Sequence, residues 1–185
     1  MLVRLAAIAL AAIGTVLMSV FVIPTDQLAA VADNPPTSRP TTKAPRQIRD
    51  WNHLVVDVQA NLPKARSILR GGCERLIGAR ALDRAARDLK PTPGDVYTPR
   101  RAAEVVPDDH GVPTNRVRFG PDYYTESEWN RVKAIAHEMV HIAMRLGDVE
   151  LIIRWEWHFR RSIRGNHPDA STALDDFLFV KGCTI

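Results

Sequence analysis
The chain has 185 residues, a formal net charge of +4 and 45% hydrophobic residues, and it contains only two cysteines. The basic excess is modest and scattered over Arg100, Arg101, Arg116, Arg118, Arg160, Arg161 and Arg164, which argues against nucleic acid as a partner. Neither Cys73 nor Cys183 has a close Cys or His at ligand spacing, which argues against a cysteine-based zinc site.

Residues 1–32 read as a signal peptide or an N-terminal membrane anchor. Arg4 precedes the apolar stretch Leu5 to Ile23, and Ala30-Val31-Ala32 has the small-x-small form of a signal-peptidase site. Retention as an anchor is the alternative, because that stretch nearly spans a bilayer. Both readings expect a secreted or cell-envelope location for the rest. Residues 33–47 are rich in Pro and Thr and carry no large apolar side chain, so they read as a disordered linker. Residues 48–185 form the expected folded domain, long enough for one core. In an oxidising compartment Cys73 and Cys183 are expected to join.

Within the domain, Trp51, Leu54, Val55, Val58 and Leu62 are spaced as on a helix that ends near Pro63. A second helix is expected over Glu74 to Leu89, stopped by Lys90 to Gly94. Short extended segments follow at Val96-Tyr97, Ala103 to Val106 and Val117 to Phe119. Arg116 to Phe119 alternates polar and apolar, as a half-buried strand does. The fold class is therefore α+β, a mostly helical domain with a small sheet preceding the next helix.

That helix carries the chemistry. Thr125 to Glu128 fits a capping box, with Thr125 as N-cap and Glu128 at N3. The apolar run from Val132 to Leu146 then contains His137-Glu138-Met139-Val140-His141. Residues four apart share a helix face, so the two imidazoles can bind one metal ion, with Glu138 beside them as general base. The composition predicts about 0.007 chance occurrences of this H-E-x-x-H pattern in the chain.

A strand, a turn with Pro and aromatics, a capped helix and H-E-x-x-H resemble the zincin metallopeptidases over about Arg116 to His167. The resemblance implies a zinc ion (Zn2+) as cofactor, a peptide or protein substrate, and Arg116 to Phe119 as the strand that lines the cleft. His137 and His141 are the expected metal ligands and Glu138 the catalytic base.

The metzincin pattern would require Gly and His where Met144 and Gly147 stand, which excludes that subgroup. The active helix is expected to run to Gly147, with a second helix over Val149 to Arg164. If that helix returns antiparallel, the level of the metal, about 12 Å from the turn, is met at Glu156. Glu156 also sits in the apolar stripe of Ile152, Trp155, Phe159 and Ile163. Glu156 is therefore the first choice for the third ligand, followed by Glu150 and then Asp148, which lies too near the turn unless the active helix ends early. Glu156 would make the chain gluzincin-like; an early acidic ligand would make it aspzincin-like.

Tyr123, Tyr124, His158 and His167 are of the right type to stabilise an oxyanion, and none is assigned. Two other classes remain open: an envelope-associated binding or structural protein with an inert or structural zinc site, and a non-peptidase zinc amidohydrolase. Association with a membrane or cell wall is compatible with each.

Overall fold
The computed structural model describes residues 50–97 and 101–185; the expectations for residues 1–32 and 33–47 fall outside them. Helix α1 spans Trp51–Ile68, α2 Gly72–Ile77 and α3 Ala79–Asp88. Strand β1 is Lys90–Pro91, β2 Ala103–Pro107 and β3 Pro113–Phe119. Helix α4 is Pro121–Thr125, α5 Glu128–Met144, α6 Asp148–Phe159 and α7 Ala170–Asp175, followed by a π-helical turn over Asp176–Val180. The architecture is α+β and mostly helical, with a small mixed sheet ahead of the long helix α5, as the sequence led one to expect.

Helix α1 starts at an Asp50 N-cap, whose carboxylate accepts from the His53 amide. It does not end near Pro63 but runs through it to Ile68. An interior proline costs a backbone hydrogen bond and about 3 kcal/mol. Burial of Leu54, Val58 and Ala65 along one face, on both sides of Pro63, offsets that cost. The helix expected over Glu74 to Leu89 is two helices, because Gly78 adopts φ 101° and breaks the run. Lys90–Pro91, expected as a helix stop, pairs as a short parallel strand.

The sheet has the order β1-β3-β2. β3 pairs in parallel with β1 and antiparallel with β2, with Val105 opposite Val117 and Ala103 opposite Phe119. The strand containing Arg116 to Phe119 is thus central and paired on both sides. This corrects the expectation that it lines a cleft, because β3 is central, with β1 paired at Arg116 and Val117 and β2 along its other side; β1 and β2 are the edge strands.

The core joins these layers: Leu54 and Val58 of α1, Leu82 of α3, Val117 of β3, Ile135 and Met139 of α5, Leu151 and Trp155 of α6, and Phe177 of the π-turn. One buried charge pair crosses it. Arg131 of α5 donates to Asp57 of α1 through Nε at 3.1 Å, and Asp57 also accepts from the Tyr123 hydroxyl at 3.0 Å. Cys73 and Cys183 form the expected disulfide, tying the C-terminal tail to α2 across a sequence separation of 110. Gly72 permits this approach, since a Cβ there would lie 2.0 Å from the Gly182 carbonyl oxygen.

Candidate metal centre
Helix α5 begins at Ser127, whose hydroxyl accepts from the Asn130 amide, rather than at Thr125, which closes α4. The expected box is displaced because Pro121 to Thr125 form a turn of helix of their own, and Glu126 is extended. From there α5 is buried continuously from Ile135 to His141, enclosed by α1, α3 and the sheet. His137, Glu138 and His141 are each 5% exposed or less. They remain polar in the interior, so each must find a partner.

Their partners are specific. His137 Nδ1 lies 2.7 Å from Asp175 Oδ1, and His141 Nδ1 lies 2.6 Å from the Leu146 carbonyl oxygen. A carbonyl only accepts, so His141 carries its proton on Nδ1 and turns Nε2 inward. The Asp175 carboxylate orients His137 in the same sense. Both Nε2 atoms then converge on Asp148 Oδ1, each at 3.0 Å. Asp148 Oδ2 accepts from Arg101 at 2.9 Å.

His137, His141 and Asp148 form a group whose ligand atoms lie within 4.8 Å of one another and could hold a metal ion. The donor chemistry fits. With one proton on each imidazole, two nitrogen lone pairs and a carboxylate oxygen face a common point, an arrangement that only a cation or additional protons can satisfy. The two contacts to Asp148 Oδ1, at 3.0 Å each, and the 4.8 Å limit on the whole group are short enough for the three donor atoms to share one ion. Each imidazole also has the Nδ1 partner, a carboxylate or a carbonyl, that usually orients metal-ligating histidines. Without a cation, protons do the work. Burial opposes a charge on His137, but its hydrogen bonds to Asp148 and then Asp175 hold its pKa well above the usual histidine value. Burial likewise opposes ionisation of Asp148, yet the two histidines hold its carboxyl far below the ordinary carboxylate range.

Asp148 reaches the histidines because α5 ends early. Arg145 adopts the left-handed conformation, φ 56° and ψ 38°, and its amide closes on the His141 carbonyl at 2.7 Å. The chain reverses over Leu146 and Gly147, and Asp148 opens α6 at the histidines. A carboxylate in that first turn also faces the positive end of the α6 dipole.

Glu156, the first choice from sequence, is not in the group. Helix α6 starts at the site and leaves it, so Glu156 lies about 12 Å along the axis from Asp148 at 1.5 Å per residue. Its Oε1 instead accepts from Ser162 Oγ at 2.9 Å, the Ile163 amide at 2.7 Å and the Arg164 amide at 2.9 Å, closing the loop after α6. Glu150 is exposed in the first turn of α6 and is also outside the group.

Glu138 borders the same hollow as His141 and Asp148. Its Oε2 accepts from the Val105 amide at 2.8 Å. The pairing register explains that amide's direction: the Gly120 amide bonds the Ala102 carbonyl, so Ala102 and Glu104 face β3, while Ala103 and Val105 turn their backbone groups to the open edge. Two adjoining hollows meet at Glu138. One is bordered by Arg101, Ala103, Ala134, His137, Ser171 and Asp175. The other is bordered by Tyr97, Arg101, Val105, His141 and Asp148.

None of the four oxyanion candidates borders either hollow. Tyr123 is buried against Asp57, and His167 lies 3.4 Å from Asp176. Sequence reasoning missed Asp175 and Arg101 as parts of the site. No periodicity or spacing links either to the histidines. Comparison with protein-family models, with curated proteins and with solved structures returns no match for this chain.

Proposed function
We propose that this protein is an exported zinc-dependent metallopeptidase, with His137, His141 and Asp148 as the metal ligands and Glu138 as general base. The observation that carries this reading is the three-membered donor group beside a buried glutamate. A structural zinc site closes its coordination with four protein ligands, whereas a catalytic one keeps a position open. Among the described residues the group has three members, which favours a catalytic site over an inert one. An aspartate so soon after the second histidine favours an aspzincin-like arrangement over a gluzincin-like one.

A bound zinc ion supplies Lewis acidity and lowers the pKa of water toward neutrality. The chain supplies the rest. The Val105 amide fixes Oε2 of Glu138, leaving Oε1 to take a proton from water and return it to the leaving amine. The open edge of β2 offers the backbone groups of Ala103, and the Val105 carbonyl, to an extended peptide, the mode of recognition that exposed strand edges support. Arg101 is the Lys or Arg side chain that borders both hollows, which makes it the candidate to stabilise a developing oxyanion. The apolar stretch Leu5 to Ile23 and the disulfide support export.

Metal analysis of the purified protein, with hydrolysis of a mixed peptide library by wild type and Glu138→Gln, tests the proposal. Stoichiometric zinc is expected in both, with cleavage slowed about 10²–10⁴-fold in Glu138→Gln. A wild type without bound metal, or cleavage unaffected by Glu138→Gln, would overturn it.

A further inference from the structure
Helix α6 buries Leu151, Ile152 and Trp155 and turns a second apolar face outward. Val149, Ile153 and Trp157 are four residues apart and advance only about 40° around the helix at each step, so they form one stripe. Ile153 is 61% exposed and Trp157 69% exposed. Single exposed apolar residues are common, but a continuous stripe on a helix already buried on its other side marks an interaction surface.

Charge identifies the partner. Arg154 flanks the stripe, and Arg160, Arg161 and Arg164 follow its C-terminal end, all exposed. The Arg160 guanidinium lies over the Trp157 ring at 4.9 Å. Against these stand Glu150, at the N-terminal end, and Glu156, whose carboxylate is turned into the loop. We propose that the outward face of α6 docks on an anionic lipid surface, with Ile153 and Trp157 entering the acyl boundary and the arginines meeting the headgroups. Tryptophan favours that boundary, and arginine can lay its stem on apolar surface while keeping its charge among phosphates. A second copy packed with its α6 parallel to this one would bring the two arginine clusters together, which disfavours that pairing. The proposal does not depend on the metal site or on peptidase activity.

The chain from Thr42 to Ile185 is a self-contained unit holding the whole core cluster and the disulfide, and it serves for the test without the apolar N-terminal stretch. Its co-sedimentation is measured with vesicles of phosphatidylcholine alone and of phosphatidylcholine with one-third phosphatidylglycerol. Binding is expected only to the anionic vesicles. It should weaken at least about tenfold in Ile153→Ser/Trp157→Ser, and also in Arg160→Glu/Arg161→Glu or at raised salt. All four side chains are exposed, so thermal unfolding should be little changed; Trp157→Ser alone is the milder control. Failure to bind anionic vesicles, or equal binding by Ile153→Ser/Trp157→Ser, would overturn the proposal. So would wild-type self-association abolished by those same two substitutions, which would assign the face to a second copy.

Discussion
Asp148 Oδ1 stands 3.0 Å from His141 Nε2, although the helix carrying His141 has already ended before Asp148 begins the next one. The contact exists because Arg145 takes a left-handed backbone conformation and reverses the chain. An arginine there is strained relative to glycine, at a cost of order 1 kcal/mol. The hydrogen bond from His141 Nδ1 to the Leu146 carbonyl then holds the reversal in place.

The first prediction separates the two acidic candidates. Asp148→Ala should abolish stoichiometric zinc binding, as should His137→Ala or His141→Ala, because each removes a donor from a group of three. Glu156→Ala should leave zinc affinity within about threefold of wild type, since its carboxylate serves the loop after α6. Chelator competition on each variant measures this, and wild-type affinity in Asp148→Ala would reject the ligand set.

Asp175→Asn tests the support for His137. The amide oxygen still accepts from Nδ1, so geometry is kept while the negative charge is lost. Zinc affinity should fall about ten- to hundredfold. The Asp175 side chain is 53% exposed, so unfolding of the metal-free protein should change little. A large loss of metal-free stability with unchanged zinc affinity would mean that Asp175 serves the fold instead.

The loop after α6 has a pH signature. Glu156 is held below the ordinary glutamate value of 4.5, first by the Arg164 amide, against the opposing effect of burial, and then by the Ser162 hydroxyl and the Ile163 amide. A depressed folded pKa contributes stability above the unfolded pKa and loses it as pH falls through the folded value. Glu156→Gln should therefore be less stable than wild type at neutral pH, by about 1 kcal/mol given the group's exposure to solvent. The difference should shrink once pH falls below 4.5. Urea unfolding across that range measures the gap, and a gap that widens in acid would contradict the assignment.

The Asp57–Arg131 pair joins α1 to α5 beside the core. Arg131 is 3% exposed, so Asp57→Ala leaves a buried guanidinium without its counter-charge. The expected cost is about 3–5 kcal/mol in urea unfolding. Asp57→Ala/Arg131→Met should cost less than the single change, because no charge is then stranded. Equal stability of Asp57→Ala and wild type would show that the pair carries no structural weight.

Local pattern was enough to place His137, Glu138 and His141 on one buried helix, since a spacing of four residues and an apolar run are properties of the chain itself. It also located Ala103 to Val106 as a strand, and counting alone paired Cys73 with Cys183. Three features were decided only in three dimensions. Asp148 replaced Glu156 because one left-handed residue at Arg145, with no glycine to announce it, ended α5 early and redirected α6. Asp175 reached His137 from 38 positions away, a contact with no local signature. β2 rather than β3 became an open edge because Lys90–Pro91 claimed the other side of β3. Helical period and residue type are written locally, whereas the completion of the site depends on which distant segments pack together.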